Sequence, residues 1–320
     1  MNIIDFLLGR KLAGNNVSGN WTFTNCESLF VNGARLELLN ELMSRIPKIT
    51  NADKMFSGAK FQEPTLLDQL PNDFLDNLRG CERCTDMFSN SNGFTEFPGI
   101  SFNVPTRISN MFQANERLKT VGSFSAPDIL ELGSSGAAFN YMCAYCSKLV
   151  SFGGITVNSD TPISVSGMFS QCLALTHVGP LNFKIKQIDY AFRLCKKLET
   201  IPTLFLLGQG AGGIQATQAF PTGNATERTA LKSLTFHPDS SCKGISNFKI
   251  SYCSFERDGM LALFNSLPDI TGSTLASSYK SITITGNPCV TGKLSDGTAC
   301  ETLTPADKAI ATNKGWSLVT

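Results

Sequence analysis

Apolar residues recur along this chain in a short local phrase rather than in the long stripe of one amphipathic helix. The phrase opens with Met or Ala, which Phe usually follows, and its openings lie 23 to 32 residues apart. The opening residues, which number the units 1 to 7, are Met55, Met87, Met111, Met142, Met168, Ala191 and, more weakly, Ala219. A recurrence of this length is typical of repeat proteins, in which no unit can bury its apolar side alone.

Other positions keep a fixed distance from the opening residue. An apolar or small residue stands three positions before it, and units 2 to 6 carry Phe or Leu seven positions after it and Pro or Gly eleven positions after it. The segment that ends in Pro or Gly predicts a short strand followed by a sharp turn. The opening phrase, with apolar residues three and four apart, predicts a helical or 3-10 turn.

These positions predict one shared apolar core and a column of small residues beside it. The predicted core residues are Met55, Phe56, Met87, Phe88, Met111, Phe112, Met142, Met168, Phe169, Phe192, Leu118, Leu149, Leu175 and Leu198. Cys146, Cys172 and Cys195 each stand four residues after an opening residue. A small, weakly polar residue at one position of successive units indicates a buried ladder, and we favour this interpretation over a metal or redox role.

The other cysteines give no strong metal motif. Two C-x-x-C pairs occur, Cys81 with Cys84 and Cys143 with Cys146, but the second begins 59 residues after the first ends. Zinc sites built from two such pairs usually hold them about 15 to 20 residues apart. We therefore expect neither a metal nor a cofactor, and a bridge between Cys289 and Cys300 stays open.

The two ends differ from the repeating middle. Residues 33–46 place Leu36, Leu39, Leu42 and Met43 at helical spacing before Pro47, which predicts a helix that covers the first unit. At the other end the pattern predicts a helix over 257–267, a strand over 281–285 and a last helix capped by Thr304 and Asp307, with Trp316 and Val319 docking it. We divide the chain into an N-terminal attachment and capping region 1–50, a repeat region 51–255 and a C-terminal cap 256–320.

Composition excludes several classes of function. The chain has 27 Lys and Arg against 26 Asp and Glu, and no window is strongly basic, so nucleic acid is not an expected partner. No apolar stretch is long enough to cross a bilayer. The apolar run near Met1 is interrupted by Asp5 and followed rather than preceded by cations, so we expect no secretory signal. Eleven cysteines, an odd number, then suit a reducing compartment.

The opening phrase, as in residues 191–202 (Ala-Phe-Arg-Leu-Cys-Lys-Lys-Leu-Glu-Thr-Ile-Pro), resembles the BspA-like leucine-rich repeats of bacterial surface proteins. The segments 263–272, 282–288 and 303–316 are similar to the close of repeat-bearing bacteriophage tail and other virion proteins. The resemblance implies an α/β repeat solenoid with short strands, helical or 3-10 turns and terminal caps, and an adhesive or structural role without catalytic residues. The irregular unit lengths and the stretch 204–232 depart from the family pattern.

We therefore expect a bacteriophage virion protein of the tail, baseplate, fibre or head decoration. The apolar residues Ile3, Ile4, Phe6, Leu7 and Leu8 would attach it to another virion subunit, although a segment packed on its own repeats explains them equally well. Expected partners are virion subunits, a host-surface protein or glycan, and further copies of the chain.

Two other classes of function are weighed against the virion hypothesis. The first is a bacterial or protist adhesin at the cell surface, which would need a route of export. The second is an enzyme such as a polysaccharide depolymerase. The only histidines, His177 and His237, have no carboxylate in their own phrases, and the acidic residues are scattered, so we expect no catalysis.

Overall fold

The computed structural model describes residues 26–31, 48–60, 73–130, 139–208 and 212–320. These ranges form small parallel β-sheets with few helices, an α/β arrangement. Two predicted elements lie outside the described residues. They are the helix over 33–46 and the candidate attachment residues Ile3, Ile4, Phe6, Leu7 and Leu8.

Two four-stranded parallel sheets run through units 2 to 5, and each unit gives one strand to each sheet. The first sheet contains β1 (Glu96–Phe97), β3 (Thr120–Val121), β5 (Ser151–Phe152) and β8 (His177–Val178). The second contains β2 (Ile100–Ser101), β4 (Phe124–Ala126), β6 (Ile155–Val157) and β9 (Leu181–Asn182). In both sheets the strand order follows the order of the units, so each unit pairs with the next one along the chain.

Two three-stranded parallel sheets lie in the second half of the chain. One has the order β11-β10-β7, from β7 (Ile163–Ser164), β10 (Lys184–Gln187) and β11 (Phe205–Leu206). The other has the order β12-β13-β14, from β12 (Phe248–Lys249), β13 (Ser281–Thr283) and β14 (Ser317–Val319). The last sheet joins the region before residue 256 to the region after it by continuous parallel pairing.

The stretch 204–232, which departs from the repeat pattern, is also paired with its neighbours where it is described. Leu204 bridges Phe236, and Gln215 bridges Gln187, both in parallel. β11 lies inside the same stretch. Its described residues therefore take part in the sheet network.

The helices of the described ranges are few and lie mostly near the C-terminal end. They are α1 (Phe74–Leu78), α2 (Arg257–Ser266), α3 (Pro288–Thr291) and α4 (Pro305–Thr312), with a 3-10 turn at Ser277–Tyr279. The predicted helix at 257, the strand at 281 and the capped last helix are confirmed. At the start of α4, the Thr304 hydroxyl accepts from the Asp307 N–H at 3.1 Å and the Asp307 carboxylate accepts from the Thr304 N–H at 2.8 Å.

The docking of the C-terminal helices differs from the prediction at one residue. Trp316 is buried, its indole N–H donates to the Pro268 carbonyl at 2.9 Å, and its ring meets Phe248 edge-on. Val319, however, is 48% exposed, so the prediction that it docks the helix is wrong. Side chains alternate along a strand, and in β14 the inner position belongs to Leu318.

Phenylalanine rings of successive units stack face to face inside one continuous core. Phe56, Phe88 and Phe112 have ring centroids 5.6 and 5.7 Å apart, with planes within 8° of parallel. Phe30 extends this column toward the N-terminus, 5.3 Å from Phe56. The stacking therefore reaches residues 26–31, which lie before the boundary that the sequence pattern placed at 51.

Backbone hydrogen bonds repeat in the same register as the rings. The N–H that follows each opening residue donates to the carbonyl of the next unit's opening residue at 2.8 to 2.9 Å. This bond occurs seven times in succession, from Phe30 and Met55 to Phe192 and Ala219. Each such bond satisfies a buried donor and a buried acceptor.

The opening phrase folds as a series of tight turns instead of the predicted helical or 3-10 turn. The residue before the opening residue has positive φ in units 1 to 7, and the residue three after it has positive φ in units 1 to 6. In unit 2 these residues are Asp86 (φ 55°) and Asn90 (φ 55°). Left-handed residues interrupt the helical sequence of bonds, and their N–H groups donate to the next unit, as Asp86 does to the Ser109 carbonyl.

The Gly position eleven residues after the opening residue is explained by close approach of two backbones. A Cβ on Gly179 would lie 2.1 Å from the Gly153 carbonyl oxygen of the preceding unit. Gly122 stands in the same relation to Pro98, at 1.9 Å. At Gly122 and Gly179 the strands on both sides can pair with those of the preceding unit only if the residue has no side chain.

We expect Gly179→Ala to lower the free energy of unfolding by at least about 2 kcal/mol, because the new methyl group must push two paired units apart. Urea unfolding followed by circular dichroism measures the loss. Gly297→Ala is the control. Its φ of +87° disfavours alanine, but nothing lies within 4 Å of the added Cβ, so the variant lacks the steric clash. Equal losses at the two glycines would contradict the close-approach explanation.

Candidate functional site

The predicted core residues all lie in the interior. None of the fourteen is more than 1% exposed, and all belong to one apolar cluster. Phe112, Phe169 and Phe192 occupy equivalent places, because each donates its backbone N–H to the opening residue of the next unit. These fourteen side chains therefore build the scaffold and are not available to a ligand.

The three ladder cysteines connect neighbouring units through their thiols. Cys146 Sγ donates to the Phe112 carbonyl, Cys172 Sγ to the Cys143 carbonyl and Cys195 Sγ to the Phe169 carbonyl, each at 3.0 Å. Each of these carbonyls also accepts a backbone N–H from its own unit. The thiol thus uses the second lone pair of a buried carbonyl, which the backbone alone would leave without a donor.

Burial keeps these thiols protonated. Desolvation raises the pKa of Cys146 and of Cys195 to about 12, and it raises the pKa of Cys172 well above its ordinary value. A thiolate could not donate to a carbonyl, so the ladder requires the protonated form. Such thiols are poor nucleophiles at neutral pH.

We expect stability to decline as pH rises above about 9 under reducing conditions. A thiol with a folded-state pKa near 12 and an ordinary value of 9.0 ionises first in the unfolded chain, so the stabilisation is fully present below pH 9 and is lost between 9 and 12. Urea midpoints measured from pH 7.5 to 10.5 report the decline. The Cys146→Ala, Cys195→Ala double variant should show a shallower decline, and an unchanged slope would contradict the assignment to these thiols.

Asn115 interrupts the ladder at the corresponding position of unit 3. Its side chain is fully buried, and neither its amide nitrogen nor its amide oxygen has a hydrogen-bond partner among the described residues. Asn287 is equally buried, but its amide donates to the carbonyls of Ile250 and Ile284 and accepts from the Phe255 N–H. The same side chain is therefore satisfied at one place in the stack and unsatisfied at another.

We expect Asn115→Cys to raise the free energy of unfolding by about 1–3 kcal/mol, the usual cost of leaving a buried polar group unpaired. The new thiol can donate to the Phe88 carbonyl, as Cys146 does to Phe112 one unit further on. Asn287→Cys is the matched control and should destabilise, because it removes bonds that exist. A lower urea midpoint for Asn115→Cys than for the parent would refute the ladder role of this position.

A second polar column was missed in the sequence. Two residues before the opening residue, units 1 to 7 all carry Asp, Asn, Ser or Thr. The Asp53 carboxylate accepts from the Thr85 N–H at 2.8 Å, and the Asn140 amide oxygen accepts from the Ser166 N–H at 3.0 Å. Asp189 accepts in the same way from the next unit. The regular choice of small polar residues was the signal that could have revealed it.

The other residues that could bind a metal or react chemically are not grouped at one place within the described ranges. All eleven cysteines are free thiols, so Cys289 and Cys300 are not bridged. Within the described ranges, no three His, Cys, Asp or Glu side chains are grouped as metal ligands. Cys81 and Cys84 are both buried, and a hydrogen bond from Cys84 lowers the pKa of Cys81.

The expectation that neither histidine has a carboxylate in its own phrase is wrong for His237. His237 has a carboxylate neighbour in its own phrase, since Nδ1 lies 3.7 Å from Asp239 Oδ2 and accepts from the Asp239 N–H at 3.2 Å. The Asp two residues after His237 was visible in the sequence. The His237 ring stacks on Phe205 at 4.5 Å, whereas His177 is exposed on β8.

Large apolar side chains are exposed mainly on units 4 to 6. Among the described residues six such side chains are exposed, and five of them fall between residues 141 and 190. We call these five the tyrosine patch: Tyr141, Tyr145, Val150, Leu173 and Tyr190. The Tyr141 ring lies over Gly167, where a Cβ would meet it at 2.4 Å. Unit 5 thus makes room for a ring from unit 4.

Comparisons add no family assignment. No protein-family model and no characterised protein matches this chain. Of the helices in the described ranges, none combines the length and the apolar character that crossing a membrane requires.

Proposed function

We propose that this chain is a BspA-like leucine-rich-repeat solenoid with terminal caps, and that it serves as a structural component of a bacteriophage virion. The observation that carries the binding role is the tyrosine patch, because five of the six exposed large apolar side chains in the described residues fall on the consecutive units 4 to 6, and exposed apolar surface is typical of contact sites. The resemblance of segments 263–272, 282–288 and 303–316 to virion proteins supports the location, in the tail, baseplate, fibre or head decoration.

The internal use of the polar chemistry supports a scaffold role. The ladder thiols and the carboxylates of Asp53 and Asp189 connect one unit to the next, so their bonding capacity is directed inward. A stack of this kind presents its outward side chains at fixed spacing. We propose that residues 1–50 attach and cap the solenoid, that units in 51–255 offer the contact surface and that residues 256–320 close its other end.

The C-terminal end has the contacts that a closing element needs. The Arg257 guanidinium makes two hydrogen bonds to the Asp307 carboxylate, at 2.8 and 2.9 Å, and joins α2 to α4. This pairing, together with the Thr304 cap, holds the pKa of Asp307 well below its usual range. Trp316 fills the core between these helices and Phe248.

We expect the protein to be found in purified particles of the phage that encodes it. Mass spectrometry of virions banded in a density gradient should detect its peptides in constant proportion to a major structural protein. Their absence from infectious particles would overturn the virion proposal. Detection on cells that release no particles would favour the surface-adhesin alternative instead.

Variants of the tyrosine patch test, in the same virion experiment, whether the patch contacts another subunit. The Tyr141→Ser, Tyr190→Ser double variant should be incorporated into virions less, by about tenfold, if the patch contacts another subunit. Val319→Ser is the matched control, because Val319 is, within the described ranges, the exposed large apolar residue that lies outside the patch. Equal incorporation of both variants would remove the patch from the assembly contact.

A further inference from the structure

An open groove of about 710 Å³ lies beside unit 6. Three separate segments form most of its walls, within 196–199, 225–230 and 294–295. Its lining is largely polar, with hydroxyl groups from Thr176, Thr226, Ser254 and Ser295. No lining residue is aromatic.

Two cations at this groove have no carboxylate partner among the residues that the structure describes. Lys196 is paired with Glu227 at 2.7 Å, and Glu199 is paired with Lys232. Lys197, in contrast, is exposed and forms no ion pair within the described part of the chain. The groove therefore keeps a positive charge that its own acidic residues do not neutralise.

Arg228 is the second of these cations, and its position is fixed. Its guanidinium donates to the Lys293 carbonyl at 3.0 Å and to the Thr291 hydroxyl at 3.3 Å, both of them neutral acceptors. The side chain is half-buried, which reduces the entropy lost when it binds a ligand. Its remaining N–H groups can donate to an anion.

We propose that this groove binds an acidic polysaccharide, with Lys197 and Arg228 contacting carboxylate groups of the sugar chain. The inference rests on the adhesive role proposed above and names its ligand class. Hydroxyl side chains can exchange hydrogen bonds with sugar hydroxyls and the Glu199 carboxylate can accept them, and two unneutralised cations suit a sugar polymer that carries more than one carboxylate. A nucleic acid would require a denser line of cations and aromatic surfaces for its bases.

Fluorescence anisotropy with the full-length chain tests this proposal. The probes are labelled polygalacturonate and polysialic acid oligomers, with neutral dextran and a single-stranded oligonucleotide as comparisons. We expect an acidic oligomer to bind and dextran not to bind, and we expect the binding to weaken as salt is raised from about 50 to 200 mM.

Variants assign the contact to named residues. Lys197→Ala should weaken binding about threefold, and the Lys197→Ala, Arg228→Ala double variant about tenfold. Lys148 is the matched control, since it occupies the same position in unit 4, is exposed and lies outside the groove. Lys148→Ala should bind as the parent does. Because Lys197 is exposed, its single variant keeps the test valid even if Arg228→Ala disturbs the fold.

Failure of both acidic oligomers to bind would overturn the proposal, and so would tighter binding of the oligonucleotide or equal effects of Lys148→Ala and Lys197→Ala. These outcomes are separate from the virion test. Binding by a protein that is absent from particles would support the groove and overturn the virion role. A protein that is present in particles but binds neither acidic oligomer would support the virion role and overturn the groove proposal.

Discussion

The hydrogen bond from the N–H after each opening residue to the carbonyl of the next opening residue sets the register on which the rest of the structure depends. It fixes the distance between units, and the stacked rings of Phe56, Phe88 and Phe112 then follow at centroid separations of 5.6 to 5.7 Å. The strand pairs on the other side of each unit continue the same spacing. Side chains at equivalent positions therefore meet their counterparts in neighbouring units.

Polar side chains reinforce this register where the backbone leaves an acceptor or a donor unused. The ladder thiols supply a second donor to buried carbonyls, and Asp53, Asn140 and Asp189 supply acceptors to N–H groups of the next unit. Cysteine suits the first task because it is small and its thiol stays protonated when buried. Asn115 shows that a larger polar side chain does not suit the ladder position, since its buried amide has donors and an acceptor that the site leaves without partners among the described residues.

The sequence pattern predicted the short strands, the glycine turns and the capped last helix, because each of these depends on local spacing. It missed the left-handed turns, since Lys54, Tyr141 and Tyr190 are not residue types that favour positive φ. It also placed the first stacked segment too late, although Cys26, Leu29 and Phe30 repeat the spacing of Ala52, Met55 and Phe56. The groove could not be predicted, because Lys197, Arg228 and Ser295 come together only through packing of distant segments.

The left-handed residues make the opening phrase intolerant of changes in length. One residue inserted between Asp86 and Asn90 would move the positive φ values out of register with the N–H groups that reach unit 3, so several inter-unit bonds would fail together. The segments between phrases carry no such requirement, and they already vary, with openings 23 to 32 residues apart. Gains and losses of residues during divergence should therefore accumulate between phrases, where they reshape the outer surface and leave the stack unchanged.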